Sequence, residues 1–168
     1  LLFQPGTRWH YGFSSDVLGH LVERVSGESL DAFMNDRIFT PLGVRDALFD
    51  VPEREFVRFG TNHYKNPTGG WIVQDTPRDD PEFTGVTFLS GGGGLVMTTD
   101  AFARFAVMLE QGGTYHGRRI LQQETVDLMT SNLLPHGQTA AGSGFGLGVA
   151  VRLEDGSPGG LNAGSYYW

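Results

Sequence analysis

A tyrosine at position 11 is the residue of this chain best placed for acid–base chemistry. Pro5-Gly6 forces a turn, Trp9 and Tyr11 alternate as in a short extended stretch, and Ser14 or Ser15 follows as a helix cap. Val17, Leu18, Leu21, Val22 and Val25 then recur at helical spacing over roughly 15–26, and Gly27 supplies a stop. The pattern delivers Tyr11 to the mouth of an amphipathic helix, where the positive end of the dipole and unpaired N–H groups favour a phenolate over a phenol. A phenol, with a pKa near ~10, is a poor base at neutral pH until a neighbouring cation lowers that value. The competing reading is ordinary packing, because a Trp-x-Tyr pair ahead of a helix often buries its ring in a core with the hydroxyl hydrogen-bonded. Spacing alone leaves both open.

Other chemistries find no support in the residue pattern. His10, His20, His63, His116 and His136 show no His-Glu-x-x-His or comparable ligand spacing, so neither a metal site nor a cofactor is expected. Alternation turns His10 to the face opposite Tyr11. Gly91–Gly94 lacks the Gly-Lys-Ser/Thr that completes a phosphate loop, and it reads as a place where backbone packs tightly against helices. Ser143 lies between Gly142 and Gly144, but Ala141 and Phe145 deny it a Gly-x-Ser-x-Gly elbow. The chain has no cysteine, which removes disulfides, thiolate catalysis and thiolate metal sites. A formal net charge of −7 argues against nucleic acid or an anionic membrane surface as partner. No apolar run approaches the ~20 residues that span a bilayer. With 168 residues, 39% of them hydrophobic, the chain can bury a substantial core.

The elements that must position Tyr11 read as helices first and a mixture later, an α+β pattern. A second helix is predicted over Ser29–Phe39, ending before Pro41-Leu42-Gly43. Residues 46–81 are proline-rich, with turn clusters at Asn66-Pro67-Thr68-Gly69-Gly70 and Asp79-Asp80-Pro81. An irregular excursion of that length suits a lid or binding loop at a substrate entrance. Leu95-Val96-Met97 reads as a short strand, and Thr98 or Thr99 caps a helix to about Gln111 that Gly112-Gly113 ends. A further helix spans Leu121–Ser131. Two strands, Gly146–Leu153 and Gly160–Trp168, flank the turn Glu154–Gly159.

The segment Tyr11-Gly12-Phe13-Ser14-Ser15 with its helix resembles the second active-site box of the serine β-lactamase and penicillin-binding superfamily, in particular class C β-lactamases and family VIII carboxylesterases. The resemblance continues through Gly19 to Leu30 and Ile38 to Val44, through Gly91 to Asp100 with Phe102 to Phe105, and through Phe145 to Val149. It ends at Gly164-Ser165-Tyr166-Tyr167-Trp168, which is similar to the approach to the third box. It covers nearly the whole chain in the order these proteins follow. It implies a β-lactamase/transpeptidase-like fold, present in part: a helical region over about 1–140 and returning sheet strands over about 145–168.

The resemblance also implies roles. Tyr11 would take the proton of a nucleophilic serine and return it to the leaving group, beside the lysine of a Ser-x-x-Lys motif. This sequence holds no Ser-x-x-Lys: its one lysine, Lys65, is preceded three positions earlier by Asn62. The chain is therefore expected to be an internal piece of a larger enzyme and to lack turnover by itself. Phe13 stands where class C β-lactamases usually carry asparagine, and its apolar ring favours an esterase- or transacylase-like pocket for apolar acyl groups. Trp168 matches the first residue of the third box in the esterase-like branch and would line the acyl pocket. The expected activity is a carboxylesterase acting on a small ester or amide through an acyl-serine. A β-lactamase or D-amino-acid peptidase on the same scaffold is the alternative, with a silent peptidoglycan- or ligand-binding relative as a third reading. Strands parted from their neighbours would leave Val149, Val151, Leu161, Tyr166 and Trp168 open, so self-association of the isolated chain is expected.

Overall fold

The computed structural model describes residues 2–76, 78, 82–135, 142–156 and 160–167. Helices are interspersed with short antiparallel strands in an α+β arrangement. Two compact units are distinguished, Phe13–Arg104 and Leu1–Gly12 with Phe105–Trp168.

The unit of residues 13–104 begins with α1 (Ser14–Ser26). Phe13 holds the N-cap position at φ −79 and ψ 22 and makes no side-chain cap bond. Ser14 and Ser15 already lie in the helix, which corrects the expected serine cap. The first turn carries Asp16 instead, whose charge suits the positive end of the helix. Gly27 ends α1 in the left-handed region at φ 75, its N–H donating to the Glu23 carbonyl at 2.9 Å. The Glu23 carboxylate then accepts the N–H of Leu30 at 3.0 Å, at the start of α2 (Leu30–Met34).

After α2 the chain makes one π turn over Asn35–Phe39 and resumes as α3 (Thr40–Leu42), stopped by Gly43 at φ 69. The helical path thus runs through Pro41 rather than ending before it. Pro41 follows directly on the π turn, in the first positions of α3. Leu30, Phe39, Leu42, Val44, Phe49, Val51 and Ala101 form this unit's buried core.

The predicted irregular excursion contains regular structure. A 3₁₀ turn over Glu53–Arg58 presents Arg58 to Asp46 at 3.1 Å and to Glu55 at 2.9 Å. These bonds, that of Asp46 foremost, raise the guanidinium above its ordinary pKa. Strands β1 (Asn62–Lys65) and β2 (Trp71–Asp75) form an antiparallel hairpin. Its turn falls in the predicted Asn66–Gly70 cluster, where Asn66 Oδ1 accepts the Thr68 N–H at 3.1 Å and Gly69 takes φ 106. In place of a strand at 95–97, Leu48 and Val96 exchange two backbone bonds of 2.8 Å.

Helix α4 (Thr99–Glu110) follows, and the Thr98 hydroxyl accepts the Ala101 N–H at 3.2 Å, the cap the sequence predicts. Gly112 and Gly113, at φ 62 and 88, end it. In the other unit, β3 (Thr114–Tyr115) and β4 (Arg118–Arg119) make a short hairpin. Helix α5 (Gln123–Met129) is shorter than predicted, because Gln122 is already extended at ψ 150. A three-stranded antiparallel sheet has the order β5 (Ser143–Phe145), β6 (Ala150–Arg152), β7 (Tyr166–Tyr167). The predicted strand from Gly146 is divided: the Gly146 N–H donates to the Val149 carbonyl at 2.8 Å and Gly148 lies at φ 85, which makes a turn of residues 146–149. Met108, Leu109, Val126 and Val151 are buried. The cluster at 79–81 and part of the turn at 154–159 lie outside the described residues.

The open apolar surface differs from the one expected. Val151 is buried, Val149 and Tyr166 are half-buried, and Leu161 is exposed. Val17, Leu18, Leu21 and Val25 of α1, read as the buried face of an amphipathic helix, are exposed instead, Val25 to 80%. Among the described residues no helix is long and apolar enough to cross a membrane.

Candidate functional site

Alternation of side chains along residues 8–11 sorts them onto two faces, as the extended reading requires. Arg8 and His10 both meet Phe3, the guanidinium 4.2 Å from its ring centroid and the imidazole edge-on at 5.9 Å. Trp9 and Tyr11 turn the other way, with ring centroids 6.4 Å apart. Trp9 in turn rests on Phe145 of β5 at 5.6 Å. Phe145 is fixed by its backbone, its N–H donating to Asn132 Oδ1 at 3.2 Å and its carbonyl accepting the Leu133 N–H at 2.9 Å. Close packing limits residues here: a Cβ on Gly144 would strike the Asn132 side chain, and one on Gly146 would strike the Met129 carbonyl. A rigid sheet end therefore braces Trp9, and Trp9 braces the ring of Tyr11. Tyr11 itself is 58% exposed, so it is not a core aromatic.

In the other unit, Phe13 is 84% exposed. It lines a cavity of about 500 Å³ together with Asp16, Phe49, Val86, Phe88 and Ser90. Phe13 is therefore a surface residue at the edge of this cavity and not a core residue. The cavity is shaped by the glycine run, which packs as the sequence predicts. A Cβ on Gly91 would collide with the Ser15 carbonyl oxygen and lie 3.2 Å from the Gly19 Cα. Gly19 is buried, and its own Cβ would meet the Gly91 Cα at 3.2 Å. Only a glycine pair lets loop backbone approach α1 this closely.

Asp16 locks that approach. Its Oδ1 accepts the Ser90 hydroxyl at 2.5 Å and the Gly92 N–H at 3.3 Å. A charged acceptor shared by a hydroxyl and a backbone N–H ties the first turn of α1 to the start of the glycine run. Neither Asp16 nor Ser90 was singled out by sequence reasoning. The only local signal is an acid in the first helical turn, and its partner stands 74 residues away.

The structure thus gives Tyr11 a braced, exposed ring in one unit and places Phe13 at the edge of a cavity in the other. Trp168 lies outside the described residues. Among the described residues no group of His, Cys, Asp and Glu is arranged to hold a metal ion.

Comparison with known proteins places these features in a lineage. The family described as β-lactamase matches residues 1–168. An uncharacterized protein of Mycobacterium tuberculosis is 33% identical over an alignment that covers 100% of this chain and 45% of that protein. The lovastatin esterase of Penicillium rubens is 41% identical over 55% of this chain and 20% of its own length. Among solved structures, a mutant of the simvastatin synthase LovD from Aspergillus terreus superposes with a TM-score of 0.78 at 25% identity, covering 92% of this chain and 43% of that one. EstCE1, a hydrolase with promiscuous acyltransferase activity, superposes with a TM-score of 0.71 at 25% identity, over 90% of this chain and 42% of its own. The chain spans less than half the length of these relatives.

Proposed function

This chain belongs to the β-lactamase family, and on that premise we propose that the intact protein is a serine hydrolase that cleaves small esters through an acyl-serine, with Tyr11 as its general base. The observation that carries this reading is the setting of Tyr11: a largely exposed aromatic residue, in contact with Trp9, which rests on Phe145 of the sheet, three residues ahead of the first residue of α1. A general base needs an exposed and positioned ring, and the 58% exposure of Tyr11 and its contact with Trp9 support that role. In the first step the Tyr11 oxygen takes the hydroxyl proton of the serine as the serine oxygen attacks the ester carbonyl. The proton then passes from Tyr11 to the departing alcohol as the tetrahedral intermediate collapses to the acyl-serine. Water repeats the sequence and releases the acid. The serine and its lysine belong to the Ser-x-x-Lys motif of the family, which these 168 residues do not contain.

Esters are favoured over β-lactams by Phe13, which offers a ring where an amide would be needed to bind a substrate's amide group. Phe13 and Trp168 are assigned to the walls of the acyl pocket. Names of the relatives agree with this chemistry, a lovastatin esterase and a hydrolase with promiscuous acyltransferase activity. Transfer of the acyl group to an alcohol instead of water is the second reading. It is favoured by a monacolin J acid methylbutanoyltransferase of Aspergillus terreus, 31% identical over 74% of this chain. The test is to react the intact protein with nitrophenyl esters and with a chromogenic cephalosporin, and to weigh the trapped protein. Ester turnover with one acyl group on a serine supports the proposal. Faster turnover of the cephalosporin, or no acylated serine, overturns it.

A further inference from the structure

A further cavity in the unit of residues 13–104 joins aromatic rings to a carboxylate. It measures about 470 Å³, within the range of about 300–1,000 Å³ usual for small-molecule sites, and Phe59, Phe83, Phe102 and Met97 line it with Asn62 and Asp75. Its aromatic walls are tied to the fold. The Phe83 carbonyl accepts the Val51 N–H at 2.7 Å, the Phe59 and Phe83 rings lie 5.3 Å apart, and Phe102 stands on the first turn of α4.

Asp75 is half-buried at the root of the β1–β2 hairpin, where its Oδ2 accepts a bond from the Asn62 amide at 2.8 Å. It is the one charged side chain among the described lining residues. Three arginines of this unit are engaged elsewhere: Arg58 with Asp46 and Glu55, Arg104 with Asp100 and the Gly43 carbonyl, and Arg78 over the Phe56 ring. Lys65 pairs with Trp71 at the other end of the hairpin, about 10 Å along the strand from Asn62 at the usual rise per residue. A cation is drawn both to the face of a phenyl ring, through its quadrupole, and to a carboxylate that is partly withdrawn from water. An anion meets the reverse of both, and a neutral guest gains apolar contact alone.

We propose that this cavity binds an organic ammonium ion, its charged head beside Asp75 and its apolar part among Phe59, Phe83 and Phe102. The inference stands apart from the ester-hydrolase reading, because it concerns binding at residues of one unit and no step of catalysis.

Calorimetric titration of the intact protein with benzyltrimethylammonium, 2-phenylethanol and 3-phenylpropanoate tests it. The cation should bind at least about tenfold more tightly than the alcohol, and the anion should give no saturable heat. Asp75→Asn keeps an oxygen for the Asn62 amide and removes the charge, so it should weaken the cation about fivefold and leave the alcohol within about twofold. Phe102→Leu, at a position 59% exposed, should weaken the cation by about twofold to fivefold, the loss of one ring face, and it reads the site even where the Asp75 variant fails to fold. No saturable binding of the cation, equal affinity for the alcohol, or an unchanged cation affinity in either folded variant would overturn the inference.

Discussion

Replacing Asp16 by alanine should destabilise the intact protein by about 2–3 kcal/mol. The Asp16 carboxylate accepts two hydrogen bonds, from the half-buried Ser90 hydroxyl and from the exposed Gly92 N–H at 3.3 Å. Charge-assisted bonds contribute about 1.5–3 kcal/mol each when well shielded; the longer, exposed one falls below that range. The charge in the first turn of α1 adds about 0.3–1 kcal/mol through the helix dipole. Exposure of the carboxylate rim reduces the sum to the stated range. At roughly 1–1.5 °C per kcal/mol for a protein as long as its relatives, of which this chain spans less than half, the midpoint of a calorimetric melt should fall by about 2–4.5 °C. Asp16→Asn keeps an acceptor oxygen and should lose about half as much. A double-mutant cycle with Ser90→Ala should return a coupling of about 1 kcal/mol, as expected for residues sharing one bond. A melt of Asp16→Ala within 1 °C of the parent, or strict additivity with Ser90→Ala, would refute the view that this carboxylate ties the glycine run to α1.

Gly91→Ala should cost about 1–3 kcal/mol, because its Cβ meets the backbone carbonyl of Ser15, which cannot step aside as a side chain would. Gly60→Ala, with nothing within 4 Å, should shift the melt far less, and equal shifts would contradict the packing argument. The isolated 168-residue chain should show no esterase or β-lactamase turnover above solvent background, since a base without a nucleophile has nothing to activate; saturable turnover sensitive to a serine reagent would contradict this. The same chain should self-associate through the exposed Val17, Leu18, Leu21 and Val25 face, with Val25→Asp shifting its sedimentation toward monomer. A wild-type chain that sediments as a monomer at high concentration would count against it.

Punctuation was the most legible layer of this sequence. Gly27, Gly43, Gly112 and Gly113 all take positive φ where helices end, because a residue without a Cβ is the one that does so at little cost. The Thr98 cap and the Asn66–Gly70 turn were legible for the same local reason. The hairpin before and after that turn was not. Asn62–Lys65 is exposed along its whole length, so it carries no apolar alternation to read, and pairing with Trp71–Asp75 alone makes it a strand. The apolar stripe of α1 was legible as a stripe, but its exposure depends on what the rest of the molecule places against it. At the candidate site, Tyr11 and Phe13 were marked by a local motif. Asp16 and Ser90 were hidden because their meaning is a contact across 74 residues. The bracing of Trp9 by Phe145 was hidden for the same reason.

The central claim is that Tyr11 is the base, and single-turnover acylation of the intact protein with Tyr11→Phe tests it most directly. Phenylalanine keeps the ring that Trp9 braces and deletes only the oxygen. The account predicts that the acylation rate falls by about two to four orders of magnitude, the usual contribution of a positioned general base, while the thermal midpoint stays within 1–2 °C of the parent, about the scale of a small surface change. Near-native acylation by a variant of unchanged stability would make Tyr11 a surface aromatic and contradict the account.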